Sequence, residues 1–393
     1  MSQAPAQFRS SIDYLHACVS AESGCRDFGP SDYLPGLQMV LESMDYDPQF
    51  SEAGRERAWS AVLEALRSRV FAVAAMSQYP EFRDQSVIAP VVITGLPRSG
   101  TTALHRLLAV DPRFQGLQSW LLYSPMPRPP RDTWPSHPEF QRAVAALEER
   151  YRLAPGKRAA HQVAAEEVHE CCMLLRQSFV SNLWNYMWSA PTYDAWWQCQ
   201  SEAPAYEFYR QCVQLIGLHE PGKRWLLKNP GHIEHLDLLF AVFPDVQVIQ
   251  THRDPAKAIP SLVSLLIKSH PVYEDGRTDQ RARIMLLREA AKWSNALAKT
   301  DVVRARHADQ VIDVVHADFH RDPVAVLDRI YRFIGWDLPA TTRAAMGERI
   351  EAKPELAHGP HRYSLADYGL SAEAIREPFG GYVERFNLLE ANR

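Results

Sequence analysis

Val87-Ile88-Ala89-Pro90-Val91-Val92-Ile93-Thr94, followed by Gly95-Leu96-Pro97-Arg98-Ser99-Gly100-Thr101-Thr102, reads as a strand, a glycine-bounded loop and the start of a helix. Beyond Pro90 the first run is uniformly apolar and rich in β-branched residues, the pattern of a strand buried on both faces of a parallel sheet. Thr101 to Val110 then reads as a helix. Three more runs of the same kind follow: Arg224–Lys228, Val246–His252 and Val311–Val315. Helical stretches are expected between them over Ile233–Phe243, Ala256–Lys268, Gln280–Arg306 and Val324–Gly335. This alternation predicts an α/β fold with a parallel sheet covered by helices on both faces.

The loop itself points to an anion. Unpaired N–H groups at a helix N-terminus carry partial positive charge and cradle phosphate-like groups, and glycines let the backbone approach the oxygens. Gly95-x-x-x-x-Gly100 has the spacing of the nucleoside-triphosphatase loop, but Thr101 stands where that loop carries Lys. The fixed cation is Arg98 instead, and no acidic metal ligand ends a following strand. A second candidate anion site follows the third apolar run. There Arg253, in His252-Arg253-Asp254-Pro255, sits at the carboxyl end of a strand, where open α/β sheets bind ligands. Ser261 lies eight residues on, and an Arg offers a planar fork for a phosphate.

Outside this core, residues 1–84 read as a helical N-terminal region, with Ser51 or Glu52 opening a helix that carries Ala58, Val62, Leu66, Val70 and Ala74 and ends near Tyr79-Pro80. Residues 85–393 read as the α/β domain, with residues 341–393 as a C-terminal extension. Within it, 123–217 is an insertion. Its first part, Tyr123–Pro138, holds six prolines and is expected to be an extended loop. The remainder is expected to be mostly helical, with aromatics crowded between Trp184 and Tyr209 that serve either as the insertion's own core or as the wall of a substrate pocket.

The 393 residues carry 43 Lys and Arg against 47 Asp and Glu, a formal charge of −4, so no basic field for nucleic acid is present. With 46% hydrophobic and 23% charged residues the composition is that of a globular chain. No run reaches the length of a membrane span. The start shows no secretory pattern, and the six cysteines show no zinc-like spacing. We therefore expect a cytoplasmic protein with reduced thiols, without a metal and without a nucleic-acid partner. The histidines are scattered, and the one i, i+4 pair, His316 and His320, reads as structural.

The two anion motifs together resemble those of the sulfotransferases that use 3′-phosphoadenosine 5′-phosphosulfate. Pro97-Arg98-Ser99-Gly100-Thr101-Thr102 resembles their loop for the 5′-phosphosulfate, and Arg253 with Ser261 their 3′-phosphate motif. Trp225-Leu226-Leu227-Lys228-Asn229-Pro230-Gly231-His232 resembles the Lys-x-Pro-x-His segment of the bacterial branch, as does the tail His358–Leu365 with Gly369-Leu370. The resemblance covers roughly residues 88–393. It implies sulfuryl transfer from that donor to a small-molecule hydroxyl acceptor, with Arg98, Ser99, Gly100, Thr101, Thr102, Arg253 and Ser261 holding the donor. Arg98 and Lys228 would serve catalysis.

The general base is left open by two departures from related patterns. Lys228-Asn229-Pro230 stands where animal members carry Lys-Thr-His, and Leu117–Leu122 holds no carboxylate. Glu167, within the cluster Glu166, Glu167 and Glu170, ranks ahead of His232; Glu166 and Glu170 would share a helix face at i, i+4. Two other functions fit less well: a P-loop nucleotide kinase, which needs the missing Lys, and an inactive protein that binds adenosine nucleotides.

Overall fold

In a computed structural model, which describes residues 3–153, 163–276, 278–352, 365 and 368–389, five strands form one parallel sheet. They are β1 (Val91–Gly95), β2 (Phe114–Gly116), β3 (Arg224–Lys228), β4 (Gln247–His252) and β5 (Val311–Val315), in the order β2-β3-β1-β4-β5. Val91 pairs with Leu226 on one side and Gln247 on the other, so β1 is central and fully buried. The edge strand β5 is mostly half-buried. Every carboxyl end points the same way, which gathers the loops after β1, β3, β4 and β5 along one rim.

β1 starts at Val91 rather than Val87. Pro90 has no N–H to give to a ladder, and Ala89 adopts a positive φ of 41°. The strand ends in a contact only glycine allows. Gly95 has φ 132°, and a Cβ there would stand 2.3 Å from the Thr251 carbonyl oxygen on β4. Gly95→Ala should therefore lower the unfolding free energy by about 2–6 kcal/mol, the sum of backbone strain and overpacking. Urea melts would read this as a fall in midpoint, and an unchanged midpoint would contradict the packing described here.

The N-terminal region forms α1 (Ile12–Ser23), α2 (Leu34–Tyr46) and α3 (Glu52–Gln78), the last capped by Ser51 Oγ accepting from the Gly54 N–H at 3.0 Å. These helices share one core with the insertion: Phe8, Trp59, Val62 and Val70 pack with Phe179, Trp184, Trp188, Tyr193 and Trp197. Most of the insertion's aromatics thus bind it to the N-terminal helices. Tyr206, Phe208 and Tyr209, on the helix Ala203–Ile216, instead join the core on one face of the sheet.

Several expectations need correction. Residues 163–170 are not helical, so Glu166 and Glu170 do not share a helix face; this segment runs beside Leu117–Trp120, with Ser119 N–H donating to the Glu167 carbonyl and His169 N–H to that of Leu117. The Pro-rich stretch contains a short 3-10 turn, Arg131–Ser136. The stretch after β3 divides into a 3-10 turn, Pro230–His235, opened by Asn229 Oδ1 accepting from the Gly231 N–H at 3.1 Å, and a helix, Leu236–Val242. The strand β2 is an addition. Among the described residues no helix is long and apolar enough to cross a membrane. Of the tail quoted above, His358–Ser364 lie outside the described residues.

Candidate active site

The loop after β1 closes onto β4 before it reaches α4 (Thr101–Leu108). Ser99 is buried and its hydroxyl is engaged within the fold, bonding the Leu96 carbonyl and the Thr251 hydroxyl. That locks the loop's shape. Arg98 adopts φ 68° and Gly100 φ 93°, left-handed values that turn the chain into the first turn of α4. The first intrahelical bond there runs from Leu104 N–H to the Gly100 carbonyl, so the N–H groups of Gly100–Thr102 precede it and form the positive end of the helix.

The two predicted anion sites meet. Arg98 Nε donates to Ser261 Oγ at 3.1 Å, and Arg253 Nη1 donates to the Arg98 carbonyl at 2.7 Å. Both arginines therefore stand on one rim, at the carboxyl ends of adjacent strands β1 and β4. Asp254 caps the helix Pro255–Ile267 through the Ala256 N–H at 3.0 Å. Its carboxylate also holds Arg376, at 3.0 and 2.8 Å, and so ties the C-terminal region to this rim. His252 is buried between Asp313, at 2.8 Å, and the Tyr382 hydroxyl, at 3.1 Å. Its hydrogen bonds with His252 and Arg304 hold the Asp313 carboxyl well below the usual range despite burial.

On the other side of β1, Lys228 ends β3 almost fully buried. Its Nζ donates to Thr102 Oγ1 at 3.2 Å and forms an ion pair with Glu170. A carboxylate, an ammonium and the phosphate loop are thereby in contact. Glu167 points elsewhere, to Arg106 Nη2 on α4 at 2.9 Å. Because 163–170 is not helical, carboxylates three residues apart serve different partners. His232 is fully buried, with Nδ1 2.8 Å from the Tyr206 hydroxyl and its ring against Tyr209, and burial pushes its imidazole down to about 3. The Tyr209 hydroxyl reaches Cys171 Sγ at 3.3 Å, and the Cys171 N–H donates to the Lys228 carbonyl.

Of the sequence-predicted residues, Arg98, Arg253, Ser261, Thr102 and Lys228 converge on this rim with the Gly100–Thr101 backbone. Ser99 supports it from below, Glu167 sits on Arg106, and His232 lies buried behind. Two further residues stand near the rim: Lys257, on the helix after β4, and His316, which directly follows β5 and whose Cδ2 would lie 3.2 Å from a Cβ at Gly100. The described residues contain no group of three or more His, Cys, Asp or Glu placed to hold a metal.

The donor set suits a multiply charged phosphate ester: two planar guanidinium forks, an ammonium and a helix N-terminus, with Gly100 leaving space where a Cβ would come within 3.2 Å of His316. A family model described as the sulfotransferase family matches residues 90–340. Two curated proteins named ω-hydroxy-β-dihydromenaquinone-9 sulfotransferase Stf3, from Mycobacterium bovis and Mycobacterium tuberculosis, are 25% identical over 267 residues, which is 64% of this chain. The match spans 64% of the length of those relatives. The crystal structure of sulfotransferase STF1 from Mycobacterium tuberculosis superposes with a TM-score of 0.84 at 35% identity, covering 95% of this chain and 100% of that one. Sulfotransferase STF9 from Mycobacterium avium gives a TM-score of 0.83 at 25% identity, covering 96% of this chain and 97% of the other.

Proposed function

Since the chain belongs to the sulfotransferase family, we propose that it moves a sulfuryl group from 3′-phosphoadenosine 5′-phosphosulfate to a hydroxyl on a small, hydrophobic acceptor. The observation that carries this reading is the contact of Arg98 with both Ser261 and Arg253, which joins the phosphate loop to a second anion site on the same rim. A nucleotide with phosphate at both its 3′ and 5′ positions needs two such sites. In this reading Arg98, Thr102 and the N–H groups of Gly100–Thr102 hold the 5′-phosphosulfate. Arg253 and Ser261 take the 3′-phosphate.

Sulfuryl transfer breaks the bond between sulfur and the bridging phosphate oxygen while the acceptor oxygen attacks in line. By analogy with phosphoryl transfer, charge gathers on the leaving oxygen, so fixed cations beside the loop lower the barrier. Lys228, at Thr102, is placed for that task. The acceptor hydroxyl must lose its proton, and Glu170 is our base. Its carboxylate contacts Lys228 and is partly open to solvent, whereas Glu167 is held by Arg106. A histidine held near 3, as His232 is, accepts a proton poorly at neutral pH.

One observation supports the hydrophobic acceptor: the Stf3 relatives are named for a hydroxylated menaquinone. All six cysteines are free thiols, which accords with a cytoplasmic setting.

The chain incubated with sulfur-labelled donor and a lipid extract should yield a sulfated product by mass spectrometry. In thermal melts, adenosine 3′,5′-bisphosphate at 100 times its Kd should stabilise the fold by about 2.7 kcal/mol. Stabilisation by ATP with Mg²⁺ and none by the bisphosphate would favour a kinase, and tight bisphosphate binding without transfer to any acceptor would favour an inactive nucleotide binder.

A further inference from the structure

Arg253 stands in the turn His252-Arg253-Asp254, between β4 and the helix Pro255–Ile267. Both of its neighbours in the chain are buried, and side chains of the C-terminal region hold each of them. On one side, Asp254 meets the planar fork of Arg376: Nε donates to Oδ1 at 3.0 Å and Nη2 to Oδ2 at 2.8 Å. Glu373, one turn earlier on the helix Ala372–Arg376, lies 3.7 Å from the remaining Nη1. A two-pronged contact fixes the plane of the carboxylate as well as its place. On the other side, His252 has Nε2 2.8 Å from Asp313 and Nδ1 3.1 Å from the Tyr382 hydroxyl. An Nε2–H given to the carboxylate leaves Nδ1 to accept from the phenol. The same imidazole stacks on Phe386, with ring centroids 3.7 Å apart. Ile375, Phe379 and Val383 meanwhile share a core with Leu96 of the phosphate loop and with Ile259 and Val263. That apolar packing attaches the segment to this face. Hydrogen bonds on both neighbours of Arg253 add something else, since they fix the backbone from which its side chain projects.

We propose that Arg376 and Tyr382 are positioning residues for the 3′-phosphate, acting on Arg253 through Asp254 and His252. The inference rests on the donor assigned above and on Arg253 as the residue that takes its 3′-phosphate. A guanidinium fork meets a phosphate in a narrow range of directions, so play in this turn weakens that contact. The 5′ end, held by the N–H groups of Gly100–Thr102, is spared.

Calorimetric titration of the full chain with adenosine 3′,5′-bisphosphate and with adenosine 5′-monophosphate gives two Kd values whose ratio reads the 3′-phosphate alone. The wild-type chain should prefer the bisphosphate by at least about 100-fold, since the added contacts are charge-assisted. Arg376→Met keeps the length of the side chain and removes the fork; the ratio should fall about tenfold, with monophosphate binding unchanged. Arg376→Lys, which keeps the charge and one bond, should lose about threefold. Tyr382→Phe removes a single hydroxyl and leaves the core filled, and it too should lose about threefold. With Arg253→Ala already in place, Arg376→Met should weaken bisphosphate binding by less than about twofold, because its effect passes through Arg253. A merely structural role would weaken both nucleotides alike, or keep the tenfold loss without Arg253. Either result overturns the inference, as does an unchanged ratio in both Arg376→Met and Tyr382→Phe, while the donor reading stands. A wild-type chain that binds the two nucleotides equally would overturn the donor reading, and this proposal with it.

Discussion

Replacing Arg98 with alanine should lower sulfuryl transfer by at least 10²–10³-fold, the cost of removing one preorganised donor to a developing negative charge. Arg98 carries more than one such donor's share. It joins the loop to Ser261 at 3.1 Å, its carbonyl positions Arg253, and its left-handed φ of 68° aims the side chain along the rim. Arg98→Lys keeps the charge but not the planar fork, and should recover only part of the rate. The melting temperature of the ligand-free chain should change little, because a single side-chain hydrogen bond such as that to Ser261 is worth only about 1 kcal/mol. Single-turnover kinetics with saturating donor separates the catalytic loss from weaker binding. A rate within threefold of wild type would remove Arg98 from the mechanism.

Glu170→Gln should reduce kcat by about 10²–10⁴-fold, the usual contribution of a positioned general base. The substitution also releases Lys228 from its ion pair, so donor binding should hold or tighten while turnover collapses. That split between KM and kcat distinguishes proton transfer from loss of structure. The acidic limb of the pH–rate profile should vanish as well, since it reports a base that must be deprotonated. Glu167→Gln, which breaks the contact with Arg106, should cost less than tenfold, and His232→Gln should act chiefly on stability. A large loss in Glu167→Gln with a small one in Glu170→Gln would reverse the assignment.

How far the sequence foretold this site depends on the range of the interactions involved. β1, its loop and α4 are contiguous, and their signals are local: an apolar run, two glycines and a helix start. Arg253 and Ser261 were legible for the same reason, since strand end and following helix are adjacent in the chain. The segment around Glu167 was misread because its conformation is set by hydrogen bonds to Leu117, Ser119 and Trp120, some fifty residues away. No periodicity within 163–170 encodes that pairing. The three residues of β2 are too few to show an alternation, and only their register with β3, Phe114 opposite Arg224, makes them a strand. The aromatics from Trp184 to Trp197 looked equally suited to a pocket or a core. Their partners, Phe8 and Trp59 at the far end of the chain, decided for the core. The spacing of four between His316 and His320 describes a helix face and says nothing about which strand end that helix follows, here β5.

The account turns on one nucleotide lying across β1 and β4. A crystal structure of the chain with adenosine 3′,5′-bisphosphate tests this most directly. The predicted density places the 5′-phosphate on the N–H groups of Gly100–Thr102 and the 3′-phosphate within hydrogen-bonding reach of Arg253 and Ser261. A nucleotide bound away from this rim, or one whose 3′-phosphate faces solvent with Arg253 still turned to the Arg98 carbonyl, would contradict it.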